Sequence, residues 1–397
     1  MKKLLMVCYG GGHMKIIAPL YHHLKNEYDI TVLALTIAQP FMSKSGIPYV
    51  GFNDFECIKT NESITFGREL VKNIPNDNVV SIAESISYLG ASFSDLVTEL
   101  GCVKLAHEKF IEEGRACLLP TRSLTKIIKQ LDIDLVVTTN SPRAERAALI
   151  AAKALQIPSI CINDNLGFFG GLLDIVENNL ATKICVLSET LKGIVLNHSN
   201  LSSTDVVVTG SPVFDSLKEQ CRTNFSTAKP KVLLADDDLP KTHLRFKGVI
   251  AQNENIDIEV REELNRLAKE GKIEVVFRPH PNRVYNYDAY EYCEISKPVE
   301  DLNAVLAKVD LVVTANSTVG LEGKCLGLGL VSIEKTVYST LESYAGYGLA
   351  TGIIEASELW GAIKIEYSKL NDGRSVELYN GKAVDNIARV IKELLTL

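Results

Sequence analysis

The chain has 397 residues, 46% of them apolar and 23% charged, with a formal net charge of −7. That length points to two domains, since a single core rarely grows past a few hundred residues, and the composition is that of an ordinary globular protein. The acidic balance, with no run of Lys or Arg long enough to track a phosphate backbone, argues against nucleic-acid binding.

Short apolar, β-branched runs alternate with helical stretches along the chain, the pattern of parallel sheet with crossover helices. The opening MKKLLMVCYGGGH has an apolar run too short for a secretory signal, and it leads into glycines instead of a cleavage site. It reads as a strand at 3–8, then Gly10-Gly11-Gly12-His13 before a helix from about Lys15. Glycines there let the backbone turn sharply and bring N–H groups and the helix start close to a ligand. The spacing is not G-x-G-x-x-G, and no acidic residue closes the second strand at 30–35, so the dinucleotide motif is weak. Gly11 and Gly12 are candidate substrate contacts, and His13 a neutral imidazole acting as base or binding a sugar hydroxyl. A tight turn with a helix-capping His is the alternative.

From about 61 to 130 there is little strand signal, and the stretch reads as several amphipathic helices inserted into the first half. Strands follow at 135–139, 159–162, 184–187 and 206–209. The run AERAALIAAKAL is the clearest helix. Loops after these strands carry Asn140-Ser141-Pro142-Arg143-Ala144-Glu145-Arg146, Asn163-Asp164-Asn165 and Thr209-Gly210-Ser211-Pro212. All leave the sheet edge that His13 leaves. Asp164 is the candidate acid or base, Arg143 a balance for substrate charge, and Asn140 and Ser211 are substrate contacts. Each is equally open to reading as a cap or a surface residue.

The polar segment SLKEQCRTNFSTAKP, at 216–230, is the best linker candidate. It divides a first domain at 1–215 from a second at 231–380. The closing helix, within 381–397, is open to either half, with packing back on the first the preferred placement. Strands of the second half fall at 232–234, 274–278, 311–314 and 330–333. Arg278-Pro279-His280-Pro281-Asn282 ends the second of these. Proline on both sides stiffens the loop around His280, and an imidazole fixed beside a guanidinium suits a phosphate oxygen; a strand-exit turn with an incidental His is the alternative. After 311–314 come Asn316-Ser317-Thr318-Val319-Gly320-Leu321-Glu322-Gly323. Small polar residues ahead of a helix offer donors to an anion, and Glu322, about a turn in, is placed to reach ribose hydroxyls. Simple capping is the alternative. Asp236-Asp237-Asp238 suggests a metal, but no His or Cys sits at ligand spacing, so a solvated charge cluster is preferred and no metal or other cofactor is expected. The nine cysteines are scattered without a C-x-x-C pair, which fits a reducing compartment. No stretch approaches the roughly 20 apolar residues that span a bilayer.

The order of these motifs resembles the GT-B glycosyltransferase superfamily, an α/β fold of two Rossmann-like domains whose parallel sheets face a central cleft. The GGGH loop resembles the glycine-rich loop of lipid-sugar transferases such as the peptidoglycan N-acetylglucosaminyltransferase. The stretch ATKICVLSETLKGIVLNHSNLSSTDVVVTGSPVFDSL is similar to one in bacterial UDP-N-acetylglucosamine 2-epimerases. RPHPN, followed by DLNAVLAKVDLVVTANSTVGLEGKCLGLGLVSIE, looks like the HP and S/T motifs of bacterial capsule, Kdo and sialic acid transferases. The likeness covers most of the chain apart from 61–130 and is strongest in the second half.

That resemblance implies metal-independent transfer of a sugar from a UDP- or CMP-linked donor to a bacterial surface glycan, glycolipid or related acceptor. Arg278, His280, Asn316, Ser317, Thr318 and Glu322 would form the nucleotide side, with His280 and the Ser317-Thr318 pair on phosphate and Glu322 on ribose. His13, Arg143 and Asp164 would be catalytic, and the helical insert would shape the acceptor site. The epimerases place an acidic residue where this chain has Asn140 and a Glu near Asp164. Their Arg- and His-rich entry to the second domain is here LLADDDLPKTHLR, which does not match. An epimerase-like isomerase or a nucleotide-sugar hydrolase is therefore the second reading, and a non-catalytic nucleotide-sugar-binding protein the third. The implied partners are the nucleotide sugar and a glycan or lipid-linked acceptor. The implied setting is cytoplasmic, with peripheral contact at the inner membrane face left open, as is the oligomeric state.

Overall fold

The apolar runs become two parallel sheets of six strands each. The computed structural model describes residues 1–397 other than 74–79, 165, 169–170, 216, 218–228, 238, 244–247, 281–285, 298, 340–342, 371–380 and 397. The chain divides into two units, Met1–Val213 with Lys382–Leu397, and Phe214–Gly381. The linker expected at 216–230 lies almost wholly outside the described residues, as do Asn165, Asp238, Pro281 and Asn282.

The first unit holds β1 (Lys3–Tyr9), β2 (Asp29–Leu35), β3 (Leu135–Thr139), β4 (Ser159–Ile162), β5 (Lys183–Val186) and β6 (Val206–Val208), in the order β2-β1-β3-β4-β5-β6. Leu4 to Cys8 are apolar without alternation because both faces of the sheet are covered, and all five are fully buried. Helices α1 (Gly11–Leu24) and α2 (Ala38–Lys44) follow the first two strands. The expected insert is α3 (Asn61–Leu70), α4 (Ile82–Leu100), α5 (Val103–Glu113) and α6 (Thr121–Leu131); α7 (Ala144–Ala154), α8 (Gly171–Glu177), α9 (Glu189–Asn197) and the short α10 (Pro212–Asp215) come after it. Phe93, Leu124, Ile127 and Ala147 join α4, α6 and α7 to one face of β1 and β3 in a single core. Within the insert α3 and α4 nearly touch. A Cβ on Gly67 would stand 2.1 Å from the Ile86 carbonyl oxygen, and one on Gly90 2.0 Å from that of Ser63.

The second unit holds β7 (Lys231–Asp236), β8 (Glu274–Pro279), β9 (Glu294–Ile295), β10 (Leu311–Thr314), β11 (Gly329–Ile333) and β12 (Thr351–Ile353), in the order β12-β11-β10-β7-β8-β9. Its helices are α11 (Ile256–Lys269), α12 (Leu302–Leu306), α13 (Thr318–Cys325) and α14 (Leu359–Lys369). The last helix, α15 (Ala383–Thr396), belongs to the first unit. There Ile387, Val390 and Ile391 share a core with Ile16, Ile17 and Leu20 of α1, and Asn386 Nδ2 donates to the Thr209 carbonyl at 3.3 Å. Among the described residues no helix is long and apolar enough to cross a membrane.

Each sheet has one point where chain direction reverses. In the first unit β2 pairs on one side of β1 and β3 on the other. In the second, β8 and β10 flank β7 in the same way. Loops leaving the two central strands diverge there, opening the crevice where doubly wound sheets bind ligands.

Candidate functional site

In the first unit that switch point is occupied by the glycine loop after β1 and the turn after β3. Gly10 has a φ of +98°, a conformation that residues with a Cβ rarely adopt, and this lets α1 start immediately at Gly11. Gly11 and Gly12 form the helix's first turn, and a Cβ on Gly12 would meet no protein atom within 4 Å. His13 follows in the same turn and points back to the end of β3.

There His13 enters a hydrogen-bonded array. Its Nδ1 lies 2.8 Å from Glu145 Oε1 and 2.5 Å from Thr139 Oγ1, and its Nε2 lies 3.4 Å from Asp164 Oδ2. Glu145 has no exposed surface. Its carboxylate accepts from Tyr9 N at 2.7 Å, from Ser141 N at 3.2 Å, and from the Thr139 hydroxyl. Since Thr139 donates to Glu145, it accepts from the imidazole, so Nδ1 carries a proton. Burial alone would lower the His13 pKa, but the Glu145 charge and the hydrogen bonds the imidazole donates to Asp164 and Glu145 outweigh it and raise the value from 6.5 to about 10. This corrects the neutral imidazole expected from sequence. With a carboxylate on either side, His13 is a cation at neutral pH.

Glu145 was not singled out in the sequence, where a Glu in the first turn of an Ala-rich helix simply complements the helix dipole. The signal available was its position: α7 lies against the sheet, so a first-turn Glu turns toward the edge that His13 shares. Three other polar atoms at this edge are buried and have no hydrogen-bond partner among the described residues: Asn140 Oδ1, Asp164 Oδ1 and Ser211 Oγ. They sit just past β3, β4 and β6. Buried polar atoms are rarely left unpaired, and a hydroxyl-rich ligand would satisfy all three. Arg143, the N-cap residue of α7, is half-buried and donates through Nη1 to the Tyr9 hydroxyl at 2.8 Å. Thus His13, Asp164, Asn140 and Ser211 lie at one sheet edge, and Arg143 joins them through Tyr9.

In the second unit, Ser317 caps α13, its Oγ accepting from Val319 N at 3.3 Å, while Ser317 N donates to Thr314 Oγ1 at 3.3 Å. Tyr344, which sequence did not single out, donates its hydroxyl to the Asn316 and Ser317 carbonyls, both at 2.9 Å. Asn316 and Thr318 are exposed, and Glu322 is buried within the helix. The exposed His280 donates its backbone N–H to the Asp236 carbonyl at 2.9 Å, so its loop and the end of β7 are tied together. Arg278, expected beside phosphate, donates through Nη1 to Ser296 Oγ at 2.8 Å and through Nη2 to the Glu300 carbonyl at 2.9 Å. Asp236 also departs from the solvated cluster expected of the Asp run. It is buried and takes two bonds from Arg261, at 2.8 and 3.0 Å, and one from the Tyr287 hydroxyl at 2.8 Å. Among the described residues no group of three His, Cys, Asp or Glu is arranged to hold a metal.

No protein-family model and no curated protein matches the sequence. Solved structures match over its full length. MnaA of S. aureus, solved with UDP, has 15% identity over 100% of this chain and 98% of that one, with a TM-score of 0.62. The Methanocaldococcus jannaschii UDP-GlcNAc 2-epimerase, in complex with UDP-GlcNAc and UDP, has 13% identity over 99% and 100%, with a TM-score of 0.60. The glycosyltransferase SnogD from Streptomyces nogalater has 12% identity over 99% of both chains and a TM-score of 0.52. At these identities the likeness is one of fold. The chain has two Rossmann-like units, the GT-B fold, with UDP-GlcNAc 2-epimerases among the structures it resembles.

Proposed function

We propose that the protein is an enzyme acting on a nucleotide sugar by acid–base chemistry at His13 and Asp164. We take the reaction to be of the 2-epimerase or hydrolase kind, which needs no separate acceptor. One observation carries this reading: a cationic imidazole and a carboxylate with an unpartnered oxygen stand 3.4 Å apart at a sheet switch point. A proton donor and a proton acceptor are thus offered to one small ligand. His13 would place its proton or its charge on the phosphate oxygen that departs when the bond to the sugar's anomeric carbon breaks. Asp164 would take a proton from the sugar ring, or from a water molecule attacking that carbon. Glu145 touches neither; it is a positioning residue that keeps His13 charged and aimed. The fold shared with an epimerase solved with UDP-GlcNAc and UDP supports the choice. In the second unit, taken by itself, the start of α13 at Asn316, Ser317 and Thr318, with His280, is the proposed phosphate contact, since small polar residues at a helix start suit phosphate.

Glycosyl transfer is the second reading. The likeness to SnogD and the four-helix insert, whose α4 brings Tyr88 beside Tyr9, favour it, because an acceptor needs walls of its own. The test is proton NMR of UDP-GlcNAc with the enzyme in D2O and no acceptor. Deuterium entering the ring, or release of UDP, is the expected result, with Asp164→Asn slower by at least about a hundred-fold. An unchanged nucleotide sugar that turns over only when an acceptor is added would move the assignment to transfer.

A further inference from the structure

Tyr9, whose backbone N–H holds Glu145, turns its side chain to a second set of groups that the proposed chemistry does not use. The Arg143 guanidinium lies 5.4 Å from the Tyr9 ring centre and bonds the Tyr9 hydroxyl. On the other side the Tyr88 ring of α4 stands 5.9 Å from that of Tyr9 and packs edge-on against Phe52 at 5.1 Å. Tyr88 is only 7% exposed, and its hydroxyl, beside that of Tyr9, makes no hydrogen bond of good geometry among the described residues. Burial is the main influence raising the Tyr88 pKa and the neighbouring Tyr9 hydroxyl adds to it, while Arg143 and, more weakly, Arg115 act to lower it. Among the described residues the Arg143 guanidinium makes no ion pair, and its hydrogen bond is the one to the Tyr9 hydroxyl.

A buried O–H without a well-placed acceptor and a guanidinium without a carboxylate partner suit the same group: an oxygen that accepts and carries negative charge. We infer that Arg143, Tyr88 and Tyr9 form an oxyanion subsite for a carboxylate borne by the sugar part of the substrate, which is therefore an acidic sugar. The diphosphate of a nucleotide is a poorer fit. It brings more than one charge, and a single half-buried guanidinium beside a phenol matches one planar or monovalent group better. The subsite itself rests on these contacts; only the identity of what carries the oxyanion rests on the nucleotide-sugar reading.

UDP-glucuronate and UDP-glucose differ by one carboxylate, and calorimetric titration of both, with UDP as reference, tests the assignment. The intact protein should bind UDP-glucuronate at least about ten-fold tighter than UDP-glucose, the order expected of a charge-assisted hydrogen bond. Arg143→Gln should erase that difference while leaving UDP binding in place, and Tyr88→Phe, which removes one oxygen, should reduce it. Equal affinity for the two sugars, or an Arg143→Gln variant that loses UDP itself, overturns the subsite. If UDP does not bind at all, the nucleotide reading fails separately. Saturation-transfer NMR with free glucuronate against glucose then decides: contact with glucuronate alone, lost in Arg143→Gln, supports the subsite, and no contact overturns it.

Discussion

Replacing Glu145 with Gln removes one charge and almost no volume from the centre of the array, and its effect on His13 can be worked out from the geometry. Glu145 stands 2.8 Å from Nδ1 and Asp164 3.4 Å from Nε2. At an effective dielectric constant of about 20, Coulomb's law gives about 6 kcal/mol for the first contact and about 5 kcal/mol for the second. Burial opposes both, and the balance leaves His13 at about 10 against an ordinary 6.5, a net preference for the cation of about 5 kcal/mol. The share lost with Glu145 is at least as large as that balance. His13 in Glu145→Gln should therefore titrate at or below the ordinary histidine range, read from the imidazole carbon and nitrogen shifts of histidine-labelled protein. Stability changes in a stated direction as well. Because the folded-state value is raised, the contribution is fully present below about pH 6.5 and is lost as pH rises toward about 10. Urea unfolding should show the wild type's advantage over Glu145→Gln narrowing across that window. A His13 still protonated in the variant at about pH 8.5 would refute the assignment, because Asp164 alone would then be holding the charge.

Three further substitutions test other parts of the structure. Arg261→Met leaves the buried Asp236 carboxylate with Tyr287 as its side-chain hydrogen-bond donor among the described residues, and should cost about 3–5 kcal/mol in urea unfolding, the range for a broken buried pair. Gly90→Ala forces a methyl onto the Ser63 carbonyl oxygen; loss of about 3 kcal/mol, the upper end for overpacking, is expected in the same assay. Ser317→Ala removes the cap of α13 and should cost about 1 kcal/mol. If Ser317 also holds phosphate, UDP binding measured by calorimetry falls about ten-fold or more, beyond what a lost cap explains.

How far the sequence was legible depended on whether a residue's environment was local. Ten strands were recognisable because parallel strands covered on both faces are short unbroken apolar runs. The missed pair, Glu294–Ile295 and Thr351–Ile353, are edge strands of two and three residues whose pairing is settled by the neighbouring strand and not by their own composition. Asp236 was misread for a related reason. Its partner Arg261 is 25 residues away on α11, and nothing in the run of three Asp distinguishes the one that turns inward. Arg278 carried a motif that suggested phosphate, while its actual acceptors at Ser296 and Glu300 become visible only once the segment after β9 folds back.

The change of His13 from neutral base to cation alters what the first unit asks of a substrate. Taken with formal charges, Glu145 and Asp164 contribute two negatives and His13 one positive, so the three together leave one negative charge at this edge. Arg143 brings the sum to zero, and it is tied to the same framework: the Tyr9 backbone holds Glu145 and the Tyr9 hydroxyl holds Arg143. A single residue at the end of β1 thereby fixes the carboxylate that charges His13 and the guanidinium that offsets Asp164. Tyr9→Phe keeps the first function, which belongs to the backbone, and removes the hydrogen bond of the second. Its His13 titration should match the wild type while the preference for an acidic sugar weakens. Parallel loss of both would mean that Tyr9 acts through packing alone.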